Sequence, residues 1–439
     1  MNTKPESRQA RAVASRILAK VFADQQSLAI LMPLDLDLVT DPRERALAQA
    51  LCYGVMRHYF SLNFILSRLL DKKLKKKDSD VKALILIGLY QLDHMRTPAH
   101  AAVSASVESC KDLKKTWAKN LVNAVLRRYQ REHDKFPELI ADNESANNEH
   151  PAWLLENLKD EYPQHWQSII KENNLPPPMS LRVNLRSTDR DSYLKKLQAA
   201  GIEAQASNLN QTGIVLTHPV GVEALPDFAE GHVSVQDTAA QLAIPLLQPQ
   251  AGERILDACS APGGKLAHLL ETMPTLKEVV AVEKEPHRFK KLESTLERLG
   301  LSATLMQNDA RAVDDWWDKQ LFDRVLIDAP CSASGVIRRH PDIKYLRTAE
   351  DIQNITVLQA EILEALWPLL SKGGKLLYIT CSVFKAENDD QIAAFSNKHN
   401  DVNSIPIEAS WGMATEYGRQ ILPGDNAMDG FYYAQLQKT

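Results

Sequence analysis

The sequence predicts a multidomain protein: an all-α N-terminal part, a small α+β unit, and an α/β part whose sheet carries helices on both faces. Three observations carry this expectation. At 439 residues the chain is too long for one hydrophobic core, so two or three domains are expected. Up to residue 131, apolar side chains recur at helical spacing. From about residue 235, short apolar runs alternate with longer amphipathic ones, as a parallel sheet and its crossover helices do.

Composition narrows the class without naming a partner. The chain is 44% hydrophobic and 25% charged, as soluble globular proteins are. A net charge of -4 conceals local clusters and says little about nucleic acid. Five cysteines, an odd count without close spacing, point to reduced thiols in the cytoplasm and away from a disulfide framework. The start, Met1 to Arg11, is polar and lacks the apolar core of a signal peptide. The longest apolar run, Ala83 to Leu89, is far too short to span a bilayer, so no membrane partner is expected.

In chain order, residues 1–131 read as helices. Asp41 is a helix cap, with Pro42 at the first helical position and Glu44 placed to complete a capping box. Thr97-Pro98 repeats the cap-then-proline signal. Val81, Leu84, Ile85, Leu89 and Leu92 form one apolar stripe; Trp117, Leu121, Val122, Val125 and Tyr129 form another. Two basic groups lie between them: Lys72, Lys73, Lys75, Lys76 and Lys77, then Lys111, Lys114, Lys115, Lys119, Arg127, Arg128 and Arg131. Solvated helix faces and an RNA-binding face both account for such groups. Residues 132–150 are polar and read as a linker. Residues 151–234 read as the small α+β unit: a helical stretch ended by Pro176-Pro-Pro178, a strand at Met179–Leu185, a helix at Asp189–Ala200 and a strand at Gly213–Thr217. Arg182 on the first strand is either a phosphate contact or an ordinary surface arginine.

The α/β part, 235–439, has expected strands at Arg254–Cys259, Val279–Glu283, Thr304–Gln307, Arg324–Ile327 and Lys375–Thr380. Leu266–Thr272, Pro286–Leu299, Asp351–Leu370 and Asn388–Lys398 read as helices, and Gly430–Leu436 as a closing strand. Ligands bind such sheets at the carboxyl ends of the strands. Three strands empty there into chemistry-bearing loops: Cys259 to Lys265, Asp328-Ala-Pro-Cys331, and Thr380-Cys381. Ala261-Pro-Gly-Gly-Lys265 is neither a GxGxxG fingerprint nor a P-loop, but its paired glycines let backbone approach a ligand. Glu283 ends the second strand about 20 residues on, where a nucleotide-binding sheet places the acid that grips a ribose diol. Asp309 ends the third strand, where an acid meets an adenine amino group or a base edge, or else caps the next helix. Together these point to an adenosyl ligand. Cys52 and Cys110 read as small core hydrophobes, whereas Cys331 and Cys381 stand in loops at the ligand edge. Lys265 and the amides of nearby helix starts would help ionise a thiol there.

Ala258-Cys-Ser-Ala-Pro-Gly-Gly-Lys265, Asp328-Ala-Pro-Cys-Ser332 and Thr380-Cys-Ser382 resemble, in order, three motifs of the RNA cytosine carbon-5 methyltransferases. Arg182-Val-Asn184 and Val235-Gln-Asp237 resemble that family's flanking signatures, and the helical part resembles the RNA-binding antitermination factor NusB. A NusB-like domain joined to such a catalytic domain is similar to the bacterial 16S ribosomal RNA cytosine methyltransferases. The resemblance implies a NusB-like helical domain, an RRM-like small subdomain and a Rossmann-like catalytic domain using S-adenosylmethionine. It implies a monomer without a metal that acts on 16S ribosomal RNA. It assigns nucleophilic attack on cytosine carbon 6 to Cys381, a hydrogen bond at ring nitrogen 3 to Asp328, and proton removal and product release to Cys331, with Lys265 beside them. Cys259, Ser260, Ala261, Pro262, Gly263, Gly264, Lys265, Glu283, Asp309 and Asp328 would line the cofactor pocket. Arg338-Arg-His-Pro-Asp342, just after the Cys331 loop, is either a grip on phosphate near a base turned outward from the RNA or an ordinary loop with exposed arginines. The chain departs from the family pattern at Ser260, where alanine is more usual, and at Leu266-Ala267, where hydroxyl residues are usual. Glu283 stands where aspartate is common. The same chemistry on transfer RNA or 23S RNA, and a non-catalytic ribosome-assembly factor, are the rival readings.

Overall fold

The computed structural model describes residues 6–37 and 39–439. Of the polar start, residues 1–5 lie outside the described residues, as does Leu38. The chain divides into two compact units. One runs to Pro176 and regains Ile337–Ala349; the other holds Pro177–Val336 and Glu350–Thr439.

The first unit is helical throughout, and its core gathers the expected stripe, with Val81, Leu84, Ile85 and Leu89 fully buried. The Asp41 carboxylate accepts the Arg43 amide at 2.7 Å and Pro42 opens the helix Pro42–Arg57. Glu44, expected to close a capping box, is buried and accepts the Ala10 amide at 2.7 Å. The expected linker, 132–150, contains helices Phe136–Ala141 and Glu144–Asn148. Phe136 anchors the first in the core and the Asn143 side chain caps the second through the Ala146 amide at 2.9 Å. One buried aromatic and one cap order a stretch whose remaining residues are polar. In the second basic group, Lys111 pairs with Glu108 at 2.7 Å, Lys115 with Asp78 at 2.9 Å, and Arg128 with Glu132 at 3.0 Å. Lys72, Lys73, Lys75, Lys76 and Lys77 are all exposed.

The segment 337–349 corrects one expectation. Arg338 does not wait in an open loop for phosphate. It is 2% exposed, lies 3.5 Å from Glu172, and its carbonyl accepts from Arg57 Nη2 at 2.6 Å. Asp342 accepts the Leu28 amide at 3.0 Å, and buried Lys344 donates to the Arg57 carbonyl at 2.9 Å and to Asn174 Oδ1 at 2.8 Å. Tyr345 meets the rings of Phe22 and Tyr59. Charges taken out of water must find such partners, and here they find them inside the helical unit.

The second unit holds two sheets. The smaller comprises β1 (Met179–Val183), β2 (Ala204–Ala206), β3 (Gly213–Leu216) and β4 (Val233–Val235), all antiparallel in the order β2-β3-β1-β4. Its helix, Arg190–Ala199, is capped by Asp189 through the Ser192 amide at 2.9 Å. The larger sheet comprises β5 (Arg254–Ala258), β6 (Glu278–Val282), β7 (Thr304–Met306), β8 (Phe322–Asp328), β9 (Leu370–Thr380), β10 (Val402–Ile405), β11 (Met413–Ala414), β12 (Arg419–Ile421) and β13 (Phe431–Lys438). Strands run in the order β11-β12-β13-β9-β8-β5-β6-β7, with β10 on β13. From β7 to β9 neighbours are parallel, but β13 returns antiparallel on β9 and carries β10 and β12 antiparallel. The sheet is therefore mixed where alternation had implied a parallel one. The chain moves outward from β5 to β6 and β7, then resumes at β8 on the other side of β5. That reversal opens a crevice at the carboxyl ends of β5 and β8, the place where open α/β sheets bind ligands.

Candidate active site

After β5 the backbone turns sharply. Cys259 adopts φ 61° and Gly263 φ 95°, and the helix Gly264–Thr272 begins at once. The φ of 95° at Gly263 strains any residue with a Cβ, and a Cβ there would also press on Leu292 Cδ1 at 2.9 Å. Glu283, at the end of β6 and 3% exposed, braces this loop. One of its oxygens accepts the Ala261 amide at 3.2 Å and the other the Glu285 amide at 3.0 Å. Arg288 donates to the Ala261 carbonyl at 2.6 Å and stands 3.8 Å from the same carboxylate. Ser260 donates to the Asp257 carbonyl at 2.6 Å, and Thr295 to the Pro262 carbonyl at 2.8 Å.

Arg182 corrects both expectations held for it, since it neither touches solvent nor waits for phosphate. It is buried, donates to Glu271 at 2.8 and 3.2 Å, to Gln236 Oε1 at 2.5 Å, and to the Gly264 carbonyl at 2.7 Å. It thereby ties β1 to the first turn of the helix after the glycine loop.

At the end of β8, Asp328 lies 2.7 Å from the Lys265 ammonium, which itself stands 5.5 Å over the Phe431 ring. The Cys331 and Cys381 sulfurs are 3.4 Å apart, joining the exits of β8 and β9. The hydrogen bond to Cys381, with burial, holds the Cys331 thiol well above the usual thiol range. Burial also pushes Cys259 up to about 12, which suits a pocket wall better than a nucleophile. Asp309 stands apart from this group. Arg311 donates to it three times, at 2.7, 3.0 and 3.0 Å, and Lys284 lies 3.2 Å away. Those Arg311 bonds hold its carboxyl well below the usual range, and they leave little acceptor capacity for an adenine amino group.

Two carboxylates escaped the sequence reading. Asp257, on β5, is fully buried, and burial followed by the nearby Asp328 charge raises it to about 7 against the lowering contact of Ser260. Glu387, beyond β9, is fully buried among Ser332, Ser382 and Gln359. Asp257 reads as one more residue of an apolar strand, and Glu387 as one more charge in a polar run; neither spacing nor composition marks them.

The arrangement fits an adenosyl cofactor. The loop turns at a glycine with φ 95°, an acid ends the neighbouring strand, and Asp328 with Lys265 closes the crevice beside two thiols. Among the described residues, no helix is long and apolar enough to cross a membrane.

Comparison with known proteins agrees with this picture. Residues 8–131 match the NusB family, residues 150–223 the RsmF/B-like methyltransferase ferredoxin-like domain, and residues 244–437 the 16S rRNA methyltransferase RsmB/F family. The ribosomal RNA small subunit methyltransferase B of Pseudomonas syringae pv. tomato is 47% identical over 98% of this chain and 96% of its own. That of Escherichia coli is 43% identical over 99% of each. The crystal structure of PH0851 shares the fold, with a TM-score of 0.84 and 23% identity covering 100% of both chains. With relatives of such identity along nearly its whole length, the chain belongs to the RsmB/F family of 16S rRNA methyltransferases, and S-adenosylmethionine is its methyl donor.

Proposed function

We propose that this chain methylates carbon 5 of one specific cytosine in 16S ribosomal RNA through a covalent cysteine–base intermediate. One observation carries the reading: two sulfurs 3.4 Å apart at the exits of neighbouring strands, next to the Asp328–Lys265 pair. Cytosine carbon 5 is a poor nucleophile until a thiolate adds to carbon 6 and makes the ring enamine-like. The contact with Cys381 and burial favour the protonated form of Cys331, which makes Cys331 the poorer nucleophile of the pair and leaves the attack to Cys381. Asp328 faces ring nitrogen 3, which takes a proton from solvent as the thiolate adds; the carboxylate accepts that N–H, and the proton returns to solvent when Cys381 is expelled and the ring is aromatic again. Lys265 fixes the orientation of that carboxylate. The cofactor supplies a methyl group on a sulfonium, which carbon 5 takes. Once Cys381 is bonded to carbon, it no longer holds the proton on Cys331. That proton leaves to solvent, Cys331 accepts the proton of carbon 5, and the electrons of the carbon–hydrogen bond expel Cys381.

Glu283 and the loop from Cys259 to Lys265 hold the cofactor in this reading, and Asp309 orders its rim through Arg311. The target base turns outward from the folded RNA to reach the thiols. Residues 1–131 are the RNA-binding domain, residues 151–234 and 235–439 complete the enzyme, and the protein works as a cytoplasmic monomer without a metal.

Two serine variants test the mechanism. Cys381→Ser abolishes methyl transfer and forms no adduct; Cys331→Ser transfers methyl, releases slowly and accumulates an RNA–protein adduct that survives denaturing electrophoresis. Adduct in the Cys381 variant alone reverses the roles, and activity without adduct in any variant ends the covalent reading. Bisulfite mapping of 16S RNA from cells with and without the gene tests the substrate: one cytosine loses protection, or transfer or 23S RNA loses it instead.

A further inference from the structure

Glu387 stands in a polar run, Lys385-Ala-Glu-Asn388. In the fold it is fully buried, on the turn Lys385–Glu387 just beyond Cys381. One of its oxygens accepts the Ser332 amide at 2.6 Å. The other accepts the Ser332 hydroxyl at 2.5 Å and the Ser382 hydroxyl. Those serines are the residues immediately after Cys331 and Cys381. Ser334 completes the ring of hydroxyls, 3.1 Å from Ser332 Oγ and 3.0 Å from Ser382 Oγ. Gln359 donates to the Pro330 carbonyl at 2.9 Å and lies 3.4 Å from Glu387. One carboxylate thus reaches both cysteine loops.

We propose that Glu387 is the positioning residue of this site, its buried carboxylate clamping the loop after Cys331 to the loop after Cys381 so that the two sulfurs stay within bonding distance. The inference rests on reading both cysteines as reacting groups. A backbone N–H can only donate, so the oxygen facing Ser332 must be an acceptor; a carboxylate offers that on both sides, and an amide on one side only. The groups facing the Cys331 sulfur are Cys381, Glu387 and Tyr378 of β9, whose hydroxyl donates to the Glu387 carbonyl at 2.8 Å. A negative charge at Glu387 therefore works in the same direction as the sulfur contact and keeps the Cys331 proton in place. The clamp has a geometric and an electrostatic effect, and the two are measured separately.

Glu387→Gln keeps the shape and removes the charge. The expected result is kcat down by about ten- to a hundred-fold with KM for RNA and cofactor affinity nearly unchanged, since misplacement of reacting groups affects the chemical step. The second readout does not use activity. Iodoacetamide labelling of Cys331, located by mass spectrometry in a Cys381→Ser background, is followed against pH. Glu387→Gln moves the labelling midpoint to lower pH, and Glu387→Asp moves it less. A merely structural role leaves that midpoint where it is. Unchanged kcat, or an unchanged midpoint in a variant that binds cofactor normally, overturns the proposal. If the glutamine variant fails to bind cofactor, Ser332→Ala removes one hydroxyl from the same carboxylate and keeps its charge, so it is judged by the kcat-against-KM split, and Glu387→Asp carries the labelling readout. Failure of the covalent reading shows separately, as wild-type methylation without adduct, and leaves the labelling result standing.

Discussion

Two carboxylates at the crevice differ in what surrounds them, and each difference predicts a measurement. Asp257 is raised to about 7 by burial and by Asp328, whereas an aspartate in an unfolded chain titrates near 4. Between those values the folded protein binds a proton that the unfolded chain has lost. The site is therefore best tolerated below about pH 4, and stability falls as pH rises toward 7 and stays lower above it. Asp257→Asn removes that loss. Urea unfolding should find the variant more stable than wild type at pH 8, by on the order of 2–4 kcal/mol, and little different near pH 4. Parallel stability profiles for the two proteins would sink the assignment. Glu283 shows the opposite situation, with a carboxylate already engaged by two amides. Under the proposed ribose contact, Glu283→Ala should weaken S-adenosylmethionine by about 2 kcal/mol in calorimetry, and the loop loses its brace at the Ala261 amide. Unchanged affinity would remove Glu283 from the pocket.

Arg182 links elements. It holds a strand of the small sheet to the helix after the glycine loop, and its partner Glu271 is raised by burial even beside the guanidinium. Arg182→Ala leaves Glu271 buried without its cation, which costs about 3–5 kcal/mol. Denaturant unfolding should show that loss, and Arg182→Ala/Glu271→Ala together should recover part of it; a loss under about 1 kcal/mol would show that Glu271 finds water. Elements were legible where local signals agreed. Pro286–Leu299 has an apolar stripe, proline at its start and Gly300 at φ 61° after its end, and the helix has those bounds. β2 and β4 have three residues each, too few for alternation to register. The three motif loops were legible because glycine, proline and cysteine are rare and specific there. Arg182, Asp257 and Glu387 were not, since a buried charge and a solvated one look alike until tertiary partners are known.

For the whole molecule, the two basic groups of the helical unit behave differently. Lys111, Lys115 and Arg128 have carboxylate partners, so their charge is partly cancelled. The exposed run from Lys72 to Lys77 is the better phosphate surface. Replacing Lys72, Lys73, Lys75, Lys76 and Lys77 by alanine should lower RNA affinity and flatten its dependence on salt. The slope should fall by about one unit for each phosphate no longer neutralised, with cofactor binding spared. An identical salt slope would move the RNA surface elsewhere. Removing residues 1–131 is a poorer experiment, because it also takes from Asp342 the Leu28 amide and from buried Lys344 one of its two acceptors, the Arg57 carbonyl.

The segment 337–349 also sets a timetable. The N-terminal unit borrows its last piece from a point far along the chain, after Pro177–Val336 has been made. Translation at about 5–20 residues per second leaves a wait of roughly 10–40 s between the unit's main helices leaving the ribosome and the arrival of Tyr345 and Lys344. During that wait the seat for Tyr345, between Phe22 and Tyr59, is open. A ribosome stalled before codon 344 leaves an N-terminal unit without Lys344 and Tyr345, the residues that pack on Arg57, Phe22 and Tyr59.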